Sequence, residues 1–109
     1  MKESYKHKAA KSVLADWLRK DNVVSLEETF GSGDLAFRPD ITTYKGKCIQ
    51  SFCEVVNKCG VNGKTLGKMQ YWCYVNKKDL LVHEVSADWI LDQRAVPERI
   101  IDVNTYNLT

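Results

Sequence analysis

Between Ser4 and Arg19 the apolar residues Ala10, Val13, Leu14, Trp17 and Leu18 return every three or four positions, while Lys6, Lys8, Lys11 and Arg19 fall mostly off that stripe. The period predicts an amphipathic helix. Asp21-Asn22 ends it, and alternation takes over from Val23 to Phe30. Val24, Leu26, Glu28 and Phe30 then share one face and Val23, Ser25, Glu27 and Thr29 the other, a strand with an acid on its apolar side. Gly31-Ser32-Gly33-Asp34 reads as a turn. Leu35 to Tyr44 reads as a second strand, interrupted by Pro39 in a way that suits an edge, a bulge or a strand start. After the tight connection Lys45-Gly46-Lys47, a third strand runs from Cys48 to about Asn57. It is richer in apolar residues than its neighbours and therefore expected at the centre, with Phe52, Glu54 and Val56 on one face.

Cys59 to Gly63 is a loop by composition, and Lys64 to Asn76 carries Leu66, Met69, Trp72 and Cys73 at helical intervals. Leu80 to Val85 predicts a fourth strand. Ser86 is placed to cap a short turn over Ala87 to Leu91, Pro97 to open another at Glu98 to Ile101, and the tail from about Asn104 reads as loose. The order helix, three strands, helix, strand predicts one α/β domain over residues 1–109. Its expected core is a mixed four-stranded sheet flanked by helices, the last strand parallel to the third across the intervening helix.

A chain of 109 residues supplies one core and not two. With 44% hydrophobic and 28% charged residues it is a folding composition, and no stretch approaches the ~18 apolar residues of a membrane span. The charged opening Met1 to His7 has no apolar run behind it, so the expectation is a cytoplasmic protein without a signal peptide. Cys48, Cys53, Cys59 and Cys73 form no C-x-x-C pair and have no histidine at zinc-finger distance. They read as small buried hydrophobes in a reducing compartment.

The net charge of +2 hides an asymmetry. Residues 45–78 hold seven basic groups and one acid, a local charge of +6, which invites a polyanion as readily as it describes a solvated lysine-rich face. Three carboxylates stand where adjacent strands should bring them together: Glu28 on the first strand, Asp40 after Pro39, and Glu54 in the apolar third strand. An ionised acid inside a sheet is costly unless paired or bound to metal, and convergent carboxylates suit hard divalent cations. For each acid alone, a salt bridge or a rim position is the plainer explanation.

The combination is more specific. Arg38-Pro39-Asp40, thirteen residues, then Glu54-Val55-Val56 resembles the P-D…(D/E)-x-K signature of the restriction-endonuclease-like nuclease superfamily. The preceding helix, with His7, Ala10-Lys11 and Trp17-Leu18, is similar to that of its small competence-associated branches. Gln70-Tyr71-Trp72-Cys73-Tyr74 matches the Q-x-x-x-Y element that many such nucleases carry on the next helix. The resemblance spans roughly residues 5 to 90. It implies a restriction-endonuclease-like core and divalent-metal hydrolysis of phosphodiesters, with Asp40 and Glu54 as ligands of magnesium or manganese. Glu28, or else Glu27, would be an auxiliary acid, and Gln70 with Tyr74 would orient the site or contact substrate. The family's lysine, two residues after the acid, is Val56 here, so Lys64 or Lys68 would have to supply the cation.

Lys8, Lys11, Arg38, Lys58, Lys64 and Lys68 then gain a role as contacts to the phosphates of DNA, single-stranded or branched forms included. His7 and His83 read equally well as structural or surface residues. A catalytically inactive nucleic-acid-binding module of the same fold, viral or regulatory, is the alternative, and a protein–protein adaptor the third. Small members of such a family often need a homodimer or a partner protein.

Overall fold

Local signals set most of the elements. In the computed structural model, which describes residues 3–57 and 60–108, the Ser4 hydroxyl accepts from the backbone N–H of His7 at 3.1 Å and starts α1 (Tyr5–Leu18). β1 (Val23–Leu26), β2 (Ile41–Lys45) and β3 (Cys48–Val56) follow as antiparallel neighbours. Gly46 makes the tight β2–β3 turn at φ 62°, a backbone conformation that favours glycine. Asn62 caps α2 (Gly63–Asn76) through the N–H of Lys64, and Lys77 closes it in the left-handed region. β4 (Leu81–Ser86) lies parallel to β3, as the βαβ pattern requires. The Ser86 hydroxyl accepts from Trp89 N–H and starts α3 (Ala87–Asp92).

Four expectations are corrected. The sheet has five strands in the order β1-β2-β3-β4-β5, because Val103–Asn107, expected to be loose, pairs antiparallel with β4. A strand at the edge needs only one paired side and little apolar content, so β5 gives almost no hydrophobic signal. β1 stops at Leu26 because Glu27 takes φ 54°, which breaks the alternation on which the continuation to Phe30 rested. Residues 35–40 are not strand either: a short 3-10 turn occupies Gly33–Leu35, and only the isolated bridge Phe30↔Phe37 precedes β2. No helix forms at Glu98–Ile101.

Helices cover both faces. Ala10, Leu14 and Ala15 of α1 and Ala87 and Ile90 of α3 pack on Ile41, Cys53, Val55 and Val85. On the other face Met69 and Cys73 of α2 pack on Phe37, Phe52, Val82 and Leu108, within a nest of rings formed by Phe30, Phe37, Phe52 and Trp72 at centroid separations of 5.2–6.3 Å. Cys48, Cys53 and Cys73 are free thiols, and burial pushes that of Cys53 up to about 12; Cys59 lies outside the described residues. No helix among the described residues is long and apolar enough to cross a membrane.

Candidate metal centre

β3 and β4 run parallel and end together, and the start of α1 reaches the same end of the sheet. Side chains alternate along a strand, so Glu54 and Glu84, register partners on β3 and β4, project on the same face as Phe52 and Val82. Asp40, immediately before β2, joins them. Its backbone N–H donates to Glu54 Oε1 at 3.3 Å, and its own Oδ2 accepts from the N–H of Val55 at 2.8 Å. The two acids expected to converge are therefore brought together, fourteen residues apart in sequence.

Burial and the neighbouring Asp40 carboxylate push the Glu54 carboxyl up to about 8, and Glu84 adds to the shift. Glu84 is 2% exposed. It accepts from Tyr106 Oη–H at 2.9 Å and from Val61 N–H, and a side chain at Gly60 would collide with its carboxylate. The connection into α2 is thus folded down over a buried acid.

On the α1 side, His7 Nε2 lies 3.1 Å from Asp40 Oδ1 and 3.3 Å from Glu3 Oε2. Glu3, His7 and Asp40 offer ligand atoms that all lie within 4.8 Å of one another, a group able to hold a metal ion. Glu3 lies just before the Ser4 cap, four residues ahead of His7, and that E-x-x-x-H spacing was the available signal. Glu84 carried the same signal as Glu54, an acid inside an apolar strand, and sequence reasoning passed over it.

Other expected site residues sit elsewhere. The φ of Glu27 reverses the phase of the chain, so Glu28 accepts from Tyr44 Oη–H, away from Asp40, while Glu27 meets Lys11 Nζ at 2.6 Å. Lys11 is 7% exposed and also holds both oxygens of Glu3 at 2.9 and 2.7 Å. Burial works against its charge, but Glu27 and Glu3 outweigh it and keep the ammonium above its ordinary range. It is an internal ion-pair residue rather than the surface phosphate contact expected. Lys8, Arg38 and Lys64 are exposed and Lys68 is half-buried. Lys58 lies outside the described residues. Gln70 and Tyr74 stand on the outer side of α2, and among the described residues no hydrogen bond joins either to the carboxylates.

A cleft of ≈ 700 Å³ opens at this end of the sheet, with Glu54 and Val56 in its floor, Lys6 and His7 on one wall and Asn62 and Thr65 on the other. Lys6 pairs with Asp88. Comparison with family models, with curated proteins and with solved structures gives no match for this chain.

Proposed function

We propose that the chain is a divalent-metal-dependent nuclease that hydrolyses phosphodiester bonds of DNA. The observation that carries this reading is an imbalance of charge in one place. Glu54 lines the cleft, Asp40 and Glu84 stand beside it, and Glu3 and Glu27 connect to them through His7 and Lys11; among the described residues the only cationic partners within ion-pair distance of these five acids are Lys11 and, when protonated, His7. Glu54 and Glu84 have neither. Buried carboxylates without a counter-charge are what an oxygen-preferring cation such as magnesium or manganese satisfies, and the donor set fits such an ion. Asp40 and Glu54 would hold it, with Glu3 and His7 on the Asp40 side. Bound there, the cation supplies Lewis acidity to a phosphoryl oxygen and a lower pKa to an attacking water. The chain's own part is to fix the carboxylates: Val55 N–H orients Asp40, and Asp40 N–H orients Glu54.

One observation favours a second reading, a nucleic-acid-binding module of the same fold without cleavage. Val56 occupies the cleft floor where the resembling family has lysine, and among the described residues no ammonium is bonded to Asp40 or Glu54.

Cleavage assays on duplex, single-stranded and branched DNA with magnesium or manganese test both readings. Asp40→Asn and Glu54→Gln are each expected to lower cleavage by at least a hundredfold and to weaken metal binding in calorimetry. Unchanged metal binding in both folded variants sinks the metal-centre assignment. DNA binding by the parent without cleavage under any metal selects the second reading.

A further inference from the structure

α2 carries on its outer side residues that neither the core nor the carboxylate cleft uses. Tyr71, Tyr74 and Val75 are 53, 82 and 54% exposed. Tyr71 and Val75 line a groove of ≈ 320 Å³ together with Trp72 and with Leu35 of the Gly31–Leu35 turn. Lys64, Lys68, Tyr71 and Val75 follow one another at four-, three- and four-residue steps, so they form a single stripe along the helix, and Lys77 and Lys78 close its far end. There is no acid between Glu54 and Asp79. None of the four lysines enters an ion pair among the described residues. Exposed rings beside a concave apolar groove, bordered by unpaired cations over ~20 Å of helix, combine base-stacking platforms with phosphate attraction.

We propose that this face of α2 is a binding track for single-stranded nucleic acid, a base entering the groove against Tyr71 while Lys64, Lys68, Lys77 and Lys78 attract the phosphates. Charge complementarity requires a polyanion, and the groove selects among polyanions. A duplex keeps its bases stacked inside and offers only phosphates, so it leaves the groove empty; an acidic peptide offers carboxylates but no flat ring. The track begins beside the cleft, which Asn62 and Thr65 of the α2 start help to line. The inference rests on the nuclease reading only for where a bound strand leads, and it names the substrate class of that site.

Fluorescence anisotropy in EDTA, with fluorescein-labelled dT12, rU12, a 12-base-pair duplex and polyglutamate as probes, separates binding from cleavage. The single strands are expected to bind more tightly than the duplex or polyglutamate, and dT12 against rU12 distinguishes DNA from RNA. Tyr71→Ala is expected to weaken single-strand binding about tenfold and leave duplex binding unchanged, with Tyr71→Phe restoring it. Val75→Glu, which places an acid in the groove at an exposed position, is expected to weaken single-strand binding by a second route. Lys64→Ala with Lys68→Ala should lower the single-strand salt slope by about 0.7 per lost contact. Duplex or polyglutamate binding equal to or tighter than single-strand binding overturns the track, as does indifference of single-strand binding to both Tyr71→Ala and Val75→Glu. Failure here leaves the metal centre to be judged by Asp40→Asn and Glu54→Gln, and loss of cleavage with tyrosine-dependent binding intact leaves the track standing.

Discussion

Two rows of the same sheet face, two residues apart on β3 and β4, have opposite chemistry. In the first row Phe52 and Val82 are both fully buried and meet Met69 and Trp72 of α2. In the second, Glu54 and Glu84 stand side by side in the same register, and the chain that covers them is the Gly60–Asn62 connection instead of apolar side chains. The first row supplies burial energy and rings in contact. The second costs desolvation, which its hydrogen bonds from Asp40, Val61 and Tyr106 offset only in part. Apolar packing is concentrated at one end of the face, and carboxylates at the other.

The largest effect should come from breaking the first row. Phe52→Ala removes the ring that touches Phe30, Phe37 and Trp72, and should lower stability by about 3–5 kcal/mol in urea unfolding, the usual range for a truncated core aromatic. A loss below about 1 kcal/mol would mean that the ring nest is not what holds α2 to the sheet.

The second row responds to pH. The Glu54 carboxyl is raised to about 8 from an ordinary value near 4.5, so the folded chain keeps a proton there that the unfolded chain releases. This contribution to stability is fully present below about 4.5 and is lost as pH rises through about 8, with a slope of up to about 1.4 kcal/mol per pH unit between. Urea unfolding from pH 5 to pH 9 should show the decline, and Glu54→Gln should flatten it. Manganese at pH 8 should recover part of the loss by binding the folded carboxylates. A parent and a Glu54→Gln variant with the same pH profile would contradict the raised pKa.

How far these rows could be read in advance depended on whether the local signal survived into the packed structure. Hydrophobic period placed α1, β3, α2 and β4, hydroxyl capping placed the start of α3, and the convergence of Asp40 with Glu54 followed from strand order. What failed was tertiary. Glu27 in the left-handed region exchanged the faces of Glu27 and Glu28, and no residue type at that position announces it. Lys11 looked like a surface cation because lysines usually are, yet Glu3 and Glu27 hold it inside. β5 acquires its structure from the β4 edge it pairs with, not from its own sequence.

The smallest effect concerns a hydroxyl next to the Phe52 row. Thr42 pairs with Phe52 across β2 and β3, is fully buried, and its Oγ1 has no hydrogen-bond partner among the described residues. Its neighbour Thr43 faces the other side of the sheet, where its hydroxyl meets Ser51 Oγ at 2.6 Å. One residue type in successive positions thus gives a direct contrast. Thr42→Val exchanges an unsatisfied hydroxyl for a methyl of nearly the same shape and should raise stability by about 1 kcal/mol. Thr43→Val should lower it by about the same amount, because it breaks the buried Thr43–Ser51 hydrogen bond. The two changes together should come close to cancelling, measured by urea unfolding at one fixed pH, so that the Glu54 contribution is common to parent and variants. A loss of stability in Thr42→Val would show that its hydroxyl is hydrogen-bonded in solution, with the Phe52 row less dry than its packing implies.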